Sequence, residues 1–329
     1  MKNILLVAAI FISFNSFGQQ KKTENIVIVT LDGFRWQDMF RGADSGILNK
    51  KQFALQDSTA LFAKYWANDR DERRQKLMPF FWNKLIKVGQ LYGNRDDGSY
   101  VNVTNRYWFS YPGYNEIFTG YGDTLINSND FGLNHNKNVL EFINQQIGFE
   151  NKVKVYGSWK AFTRILNVER SKLNATVGLA DTAEARQAIE YMQNEKPRVL
   201  YINMSATDHE AHEKHYDNYL DAAHREDSLI GEIWKFIQHN RFYKNKTTLF
   251  VTVDHGRGEA AKFTTHNAKT PHSNEIWFAV VGPDTRALGE MKQGRLYQNQ
   301  FAKTIAAFLG LDFTSDHPVG EKINEPLVH

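Results

Sequence analysis

Acidic and imidazole side chains in this sequence stand at or near the ends of apolar segments. Six residues share this placement: Asp32, Asp208, His212, Asp254, His255 and His272. Asp208 and His212 are four residues apart, so they share one face if a helix begins there. Because the sequence contains no cysteine, disulfides and a thiol nucleophile are excluded, and any metal must be held by oxygen and imidazole nitrogen.

The histidines are unevenly distributed along the chain. Ten of the 11 fall at or after residue 209, and eight lie between His209 and His272. A single histidine is more often a surface or core residue than a ligand, so we interpret only His212, His255 and His272 as functional candidates. His135 and His266 lie in loops near the predicted site and remain open. The others are interpreted as structural: His209, His215, His224, His239, His317 and His329.

A candidate nucleophile lies in the segment FSYPGYNEIFTG, where Ser110 precedes an apolar helical turn. A hydroxyl at a helix N-terminus faces free backbone amides and the positive end of the helix dipole, which can stabilise an alkoxide and an attached phosphate. A serine that merely caps the helix is the alternative. The sequence has no Gly-x-Ser-x-Gly motif, which disfavours the triad of an α/β-hydrolase.

Strand-like and helix-like segments alternate along the chain. The predicted strands are Asn25–Leu31, Lys152–Tyr156, Arg198–Asn203, Thr247–Val253 and Ile276–Val281. The predicted helices are Met78–Val88, Val139–Ile147, Thr182–Asn194, Tyr216–Gln238 and Asn299–Leu309. This alternation predicts an α/β fold with a mostly parallel central sheet and helices on both faces. Ligands in such folds bind beyond the carboxyl ends of the strands, where the acidic and imidazole residues are expected.

Composition limits the classes of partner. Of the 329 residues, 42% are hydrophobic and 23% are charged, and the formal net charge is +3. These values are typical of a globular chain, and so weak a charge does not indicate a nucleic-acid polymer or an anionic membrane as the main partner. No segment after the N-terminus is long and apolar enough to act as a membrane anchor.

The N-terminal segment MKNILLVAAIFISFNSFGQQ predicts an export signal. It combines a basic start, a short apolar run and the small-x-small sequence Ser16-Phe17-Gly18. We therefore expect a signal peptide at residues 1–18 and a periplasmic or secreted mature chain. Residues 19–329 are expected to form a single catalytic domain with an insertion at about residues 41–76.

The motifs together resemble the alkaline phosphatase superfamily. The segments are IVIVTLDGFRWQDMF, FSYPGYNEIFTG, TDHEAH, VTVDHGRG and TPHS, in that order, and the resemblance covers roughly residues 25–310. Within the superfamily the sequence is most similar to the type I phosphodiesterase/nucleotide pyrophosphatase branch and to phosphoglyceromutase-like proteins. The resemblance implies an alkaline-phosphatase-like fold.

The resemblance also implies two divalent metal ions, with zinc expected and manganese or iron as alternatives. One ion would be held by Asp32, Asp254, His255 and Ser110, and the other by Asp208, His212 and His272. Two ions about 3.5–4 Å apart can clamp the attacking and leaving oxygens of an in-line displacement at phosphorus.

Several residues depart from the pattern of the branch or extend it. Ser110 stands where the branch usually has threonine. Asn129 is expected to donate to the non-bridging phosphate oxygens, with Asn127 and Asn115 as alternatives. Lys160 and Arg164 follow the segment KVKVY, and we expect them to favour phosphate monoesters by pairing with the extra negative charge; two solvated surface charges are the alternative.

Tyr114 stands where a sulfatase motif would have arginine, which disfavours sulfatase activity.

Taken together, the motifs and the resemblance predict an exported, metal-dependent phosphoric-ester hydrolase that acts on a small phosphate ester through a phosphoserine. The alternatives are a phosphoryl transferase or mutase, and a non-catalytic metal-binding member of the fold. Monoester or diester preference, the natural substrate and the oligomeric state remain open.

Overall fold

The computed structural model describes residues 22–327, so the predicted signal peptide at residues 1–18 lies outside the described residues. Eleven strands are found in the described part: β1 (Asn25–Leu31), β2 (Gln90–Tyr92), β3 (Ser99–Asn102), β4 (Val153–Gly157), β5 (Asn174–Val177), β6 (Val199–Met204), β7 (Thr247–Thr252), β8 (Glu275–Ile276), β9 (Phe278–Val281), β10 (Gly289–Glu290) and β11 (Gly294–Tyr297).

The same residues contain twelve α-helices: α1 (Trp36–Arg41), α2 (Ser45–Leu48), α3 (Ser58–Tyr65), α4 (Arg70–Leu77), α5 (Ser110–Thr119), α6 (Val139–Asn144), α7 (Phe162–Ile165), α8 (Val168–Ser171), α9 (Asp181–Glu195), α10 (Ala206–His212), α11 (Tyr216–His239) and α12 (Phe301–Phe308). Short 3₁₀ turns lie at Lys51–Phe53, Ile86–Val88, Arg95–Asp97, Ala260–Thr264 and Gln298–Gln300, and a π-helical turn lies at Phe81–Leu85.

An eight-stranded sheet organises the molecule, with the strand order β10-β2-β9-β7-β1-β6-β4-β5. The five strands from β7 to β5 run parallel, and β9 pairs antiparallel with both β7 and β2. Strands β11, β3 and β8 form a second, three-stranded sheet. The predicted fold class, an α/β fold with a mostly parallel sheet, is confirmed.

The central strands are buried because their sequences are apolar at successive positions. Every residue of β1, β6 and β7 is buried, as expected for parallel strands that are covered on both faces. Thr30 of β1 lies opposite Thr252 of β7 and Asn203 of β6. The residues that follow these three strands therefore emerge side by side at one edge of the sheet.

The segment 41–76, which the sequence predicts as an insertion, contains helices α2 and α3 and all of α4 except its last residue. Each begins after an aspartate whose carboxylate accepts a hydrogen bond from a backbone amide of the first turn: Asp44 from Gly46, Asp57 from Thr59 and Asp69 from Glu72. Such caps satisfy amides that have no partner within the helix. No helix in the range 22–327 combines the length and apolarity needed to cross a bilayer.

Candidate metal centre and nucleophile

Three side chains converge where β1 and β7 end. Asp32 follows β1, and Asp254 and His255 follow β7; their ligand atoms all lie within 4.8 Å of one another. His255 Nε2 is 3.4 Å from Asp32 Oδ1 and 3.3 Å from Asp254 Oδ2. All three residues are buried. We call Asp32, Asp254 and His255 the first group.

Each carboxylate of the first group has one bonded oxygen and one free oxygen. Tyr114 donates its hydroxyl hydrogen to Asp32 Oδ2 at 2.9 Å, and the Gly33 amide donates to Asp254 Oδ1 at 3.1 Å. The other two oxygens, Asp32 Oδ1 and Asp254 Oδ2, are buried and have no hydrogen-bond partner among the described residues. Buried polar atoms without partners are costly, and a cation bound at this position would satisfy both.

The electrostatics of the first group also favour a cation. Burial raises the pKa of Asp32 and raises that of Asp254 well above its ordinary value, and the neighbouring carboxylates add to both shifts. Burial alone would lower the pKa of His255, but Asp254 and Asp32 raise it to about 9. His255 Nδ1 lies 2.9 Å from the Gly256 carbonyl oxygen and is suited to donate to it, which leaves Nε2 as the ligand atom when the ring is neutral.

Ser110 is the first residue of α5 and lies beside the first group. Its Oγ is 3.3 Å from His255 Nε2. The helix can come this close because residue 113 is glycine: a Cβ atom at Gly113 would lie 2.5 Å from the Asp254 carbonyl oxygen. The structure thus brings together all four residues that were expected around one metal ion.

The ligand atoms of Asp208, His255 and His266 also lie within 4.8 Å of one another, so His255 borders both candidate sites. His212 lies on α10 with Asp208 and approaches Asp208 and His266, and we call Asp208, His212 and His266 the second group. His212 Nε2 is 3.4 Å from Asp208 Oδ2 and 2.9 Å from His266 Nε2, and His266 Nε2 is 3.5 Å from Asp208 Oδ1. His266 Nδ1 lies 3.3 Å from the carbonyl oxygen of Trp108, so its Nε2 faces the group. Burial and the nearby His255 hold the pKa of His266 well below its ordinary value, which favours the neutral form that binds metals.

His272 does not join this second group, and its predicted role needs correction. Its Nδ1 lies 3.0 Å from Glu275 Oε2, and its Nε2 lies 3.5 Å from Glu259 Oε2. The His272 backbone has a φ of 73°, and its carbonyl oxygen packs against Gly256, whereas the ring contacts the two glutamates. We therefore assign His266, rather than His272, to the second group.

Arg257 is a residue of the site that the sequence reasoning did not single out. Its guanidinium Nη1 contacts Asp208 Oδ1, and its Nε donates to the carbonyl oxygen of Phe263 at 2.5 Å. Gly33, with a φ of 59°, leaves the necessary space, since a Cβ there would lie 2.9 Å from both Arg257 Nη1 and Asp208 Oδ1. Burial favours the neutral form of Asp208, but Arg257 and the histidines hold its pKa well below the ordinary value.

Three further residues were predicted for the site. Asn129 and Arg164 lie near Ser110, whereas Lys160 does not. Asn129 Oδ1 accepts a hydrogen bond from the Tyr111 amide at 2.9 Å, directly beside Ser110. Arg164 Nη2 is 3.4 Å from the Asn129 carbonyl oxygen, so this arginine borders the same region. Lys160 is exposed and packs along Gly178; the contacts described for it do not reach either group.

The sequence match agrees with a metal centre. Residues 135–313, more than half of the chain, match the family model described as the metalloenzyme superfamily. The chain therefore belongs to the metalloenzyme superfamily. Comparison with the sequences of curated proteins finds no match.

Solved structures of the alkaline phosphatase superfamily share the fold. The chain is similar to the lipoteichoic acid synthase LtaP from Listeria monocytogenes, with a TM-score of 0.59, 13% identity and coverage of 90% of this chain and 74% of that one. Murine ectonucleotide pyrophosphatase/phosphodiesterase 5, solved with AMP, gives a TM-score of 0.59 at 11% identity, covering 90% and 97%. An alkaline phosphatase superfamily protein from Vibrio parahaemolyticus gives a TM-score of 0.52 at 13% identity, and the match covers 89% of this chain and 68% of that one.

Proposed function

We propose that this chain is an exported, two-metal phosphoric-ester hydrolase that works through a phosphoserine formed on Ser110. The observation that carries this proposal is the 3.3 Å approach of Ser110 Oγ to His255 Nε2, at the free oxygens of Asp32 and Asp254. A hydroxyl at the first residue of a helix, next to a cluster of cation ligands, suits nucleophilic attack on an anionic ester.

Two divalent ions are the expected cofactors, and the residues fit them. Asp32, Asp254 and His255 would hold one ion beside Ser110, and the second group would hold the other. Carboxylate oxygens and imidazole nitrogens suit zinc, with manganese or iron as alternatives. When bound, the ions would lower the pKa of the serine hydroxyl and offset charge on the attacking and leaving oxygens.

In the first step, Ser110 Oγ loses its proton to solvent and attacks phosphorus, the bond to the leaving alkoxide breaks, and the alkoxide takes a proton from solvent. The amides that follow Ser110 are already engaged or missing, because the Tyr111 amide donates to Asn129, Pro112 has no N–H and the Gly113 amide donates to the Phe109 carbonyl oxygen. The positive end of the α5 dipole would still favour the anionic phosphoryl group beside Ser110. Asn129 fixes this helix start by accepting from the Tyr111 amide, and its side-chain amide hydrogens remain as donors for a non-bridging oxygen. This keeps Asn129 in the role expected from the sequence.

In the second step, water attacks the phosphoserine and Ser110 Oγ leaves. His212, whose side chain is 47% exposed, opens the second group to solvent, so water reaches the phosphoryl group from that side. Arg164 borders Asn129 and would pair with the additional charge of a monoester. Lys160 would contribute from the rim, as a long-range attraction for an anionic substrate.

A direct test compares Ser110→Ala with Ser171→Ala in zinc-reconstituted protein. Ser171 is a matched control, because it is also buried and its hydroxyl has no hydrogen-bond partner among the described residues. Both proteins are assayed with an aryl phosphate monoester and a bis-aryl diester, and acid-quenched reactions are examined by mass spectrometry for phosphoserine. We expect Ser110→Ala to lose turnover and the modification while it keeps its metal. Full turnover in this variant would remove the mechanism.

Adding an alcohol to the same assay separates hydrolysis from phosphoryl transfer. A hydrolase releases inorganic phosphate at nearly the same rate with and without the alcohol, whereas a transferase forms the new ester in proportion to the alcohol. Protein that binds two metal ions but turns over neither ester would instead indicate the non-catalytic member of the fold.

A further inference from the structure

The two groups of ligands differ in formal charge. The first group contains two carboxylates and one imidazole, so with a neutral histidine its charge is −2. The second group contains one carboxylate, Asp208, and two imidazoles, and the Arg257 guanidinium contacts that carboxylate. The charge of the second group with Arg257 is therefore zero.

Arg257 is held in this position from several sides. It is completely buried, and its Nε donates to the Phe263 carbonyl oxygen. Its Nη2 is also buried and has no hydrogen-bond partner among the described residues. A charged side chain in these surroundings has no solvated position to move to without breaking its contacts, so it remains next to Asp208.

The two oxygens of Asp208 then have different partners. Oδ1 contacts Arg257 and is 3.5 Å from His266 Nε2, whereas Oδ2 is 3.4 Å from His212 Nε2. An ion held by Asp208, His212 and His266 would share its only carboxylate with the buried Arg257 guanidinium and would be repelled by that charge. In the first group, Asp32 Oδ1 and Asp254 Oδ2 have no hydrogen-bond partner among the described residues, and each lies 3.3–3.4 Å from His255 Nε2.

We propose that Arg257 makes the two metal sites unequal, so that the first group binds its ion tightly and the second group binds its ion at least tenfold more weakly. This inference rests on the two-metal centre of the proposed function. It gives Arg257 the role of a residue that tunes metal affinity, and it places the second ion in exchange with solvent at low metal concentration.

The test is a titration of the metal-free, full-length protein with Zn²⁺ in competition with a chromophoric chelator. We expect two binding phases whose dissociation constants differ by tenfold or more, a difference of about 1.4 kcal/mol per factor of ten. His212→Ala should remove the weak phase and leave the tight one, which assigns the weak phase to the second group.

Substitution of Arg257 separates charge from geometry. Arg257→Gln keeps a hydrogen-bond donor and removes the charge, and we expect it to tighten the weak phase about tenfold. Arg257→Lys keeps the charge and should bind like the wild type. A weaker second phase in Arg257→Gln would overturn the proposal, because it would mean that Arg257 supports the ion by orienting Asp208, a role whose loss costs about 10–100-fold in affinity.

Circular dichroism and a melting curve check that each variant folds. If Arg257→Gln does not fold, the titration of the wild-type protein still decides the question. Two phases whose dissociation constants lie within twofold of each other would contradict the inference. If both ions bind tightly, only the role of Arg257 is overturned. If no zinc binds at all, the metal centre of the proposed function is removed as well.

Discussion

The two groups of metal-ligand candidates lie next to each other but are built differently. The side chains of Asp254 and His255 are completely buried, whereas 19% of the Asp208 side chain and 47% of the His212 side chain are exposed. In the first group, two carboxylate oxygens have no hydrogen-bond partner among residues 22–327, whereas the carboxylate of the second group is already paired with Arg257. Under the proposed function, this difference would let the first group hold an ion beside Ser110 and leave the second group accessible to solvent.

The largest expected effect comes from removing a carboxylate of the first group. Asp254→Asn should lose one zinc per chain and lower kcat by about 10³-fold, because metal-ion stabilisation of transition-state charge is worth several kcal/mol. Metal analysis and steady-state kinetics measure both effects. Asp96→Asn, at an exposed ion pair with Arg41, is the control and should retain both ions. An active Asp254→Asn protein with two ions would show that the first group is not the essential one.

A pair of histidine substitutions sharpens the definition of the second group. His266→Ala should lose the weakly bound ion and lower kcat by about 10²-fold, since a missing ligand removes part of the metal's contribution. His272→Ala should keep both ions and stay within about twofold of wild-type activity, because its ring contacts Glu259 and Glu275. The reverse result would return His272 to the ligand set and exclude His266.

A smaller effect is expected for a buried carboxyl group that lies outside both groups. Glu184 is fully buried, neither of its oxygens has a partner among the described residues, and burial raises its pKa from 4.5 to about 9. The folded state therefore binds a proton that the unfolded state releases, and stability should fall as the pH rises from about 4.5 to 9. Glu184→Gln removes this dependence and should stabilise the protein by about 2 kcal/mol at pH 8.

Denaturant unfolding at pH 5 and pH 8 measures the effect, and Glu190→Gln, at an exposed position of the same helix, is the matched control. The gain in Glu184→Gln should be larger at pH 8 than at pH 5. Equal gains at both pH values would mean that Glu184 ionises normally. In that case, a buried carboxylate without hydrogen-bond partners would not by itself indicate a bound cation. The interpretation of the unbonded oxygens of Asp32 and Asp254 as metal ligands would then be weaker.

The sequence predicted the parts of the molecule that a strand positions directly. The predicted strand Asn25–Leu31 coincides with β1, and the predicted strand Thr247–Val253 differs from β7 by one residue. Side chains that immediately follow such strands have little freedom, so Asp32, Asp254 and His255 could be named from their positions alone. Ser110 was a candidate nucleophile from its place before an apolar helical turn, with a helix cap as the alternative, and the family resemblance favoured the nucleophile.

The parts that depend on loops could not be predicted in the same way. His266 and His272 lie in one connection between β7 and β8, and no periodic pattern decides which ring faces Asp208. Arg257 follows Asp254-His255-Gly256 directly, but only the folded structure shows that Gly33 leaves room for its contact with Asp208.

One predicted helix also depends on a distant contact. Met78–Val88 was expected to be a continuous helix, but it contains a π-helical turn and a 3₁₀ turn. The amides of Phe80 and Phe81 donate to the carboxylate of Asp227 on α11. A partner so remote in sequence leaves no signal in the periodicity of the segment.

The glycine at position 113 limits how this site can be redesigned. Glycine inside a helix costs about 1 kcal/mol relative to alanine, yet a methyl group at this position would collide with the Asp254 carbonyl oxygen. A larger residue at Gly113 would push the start of α5 away from Asp254 and would therefore move Ser110 away from the first group. The spacing between Ser110 and the first group thus depends on a residue that has no side chain of its own.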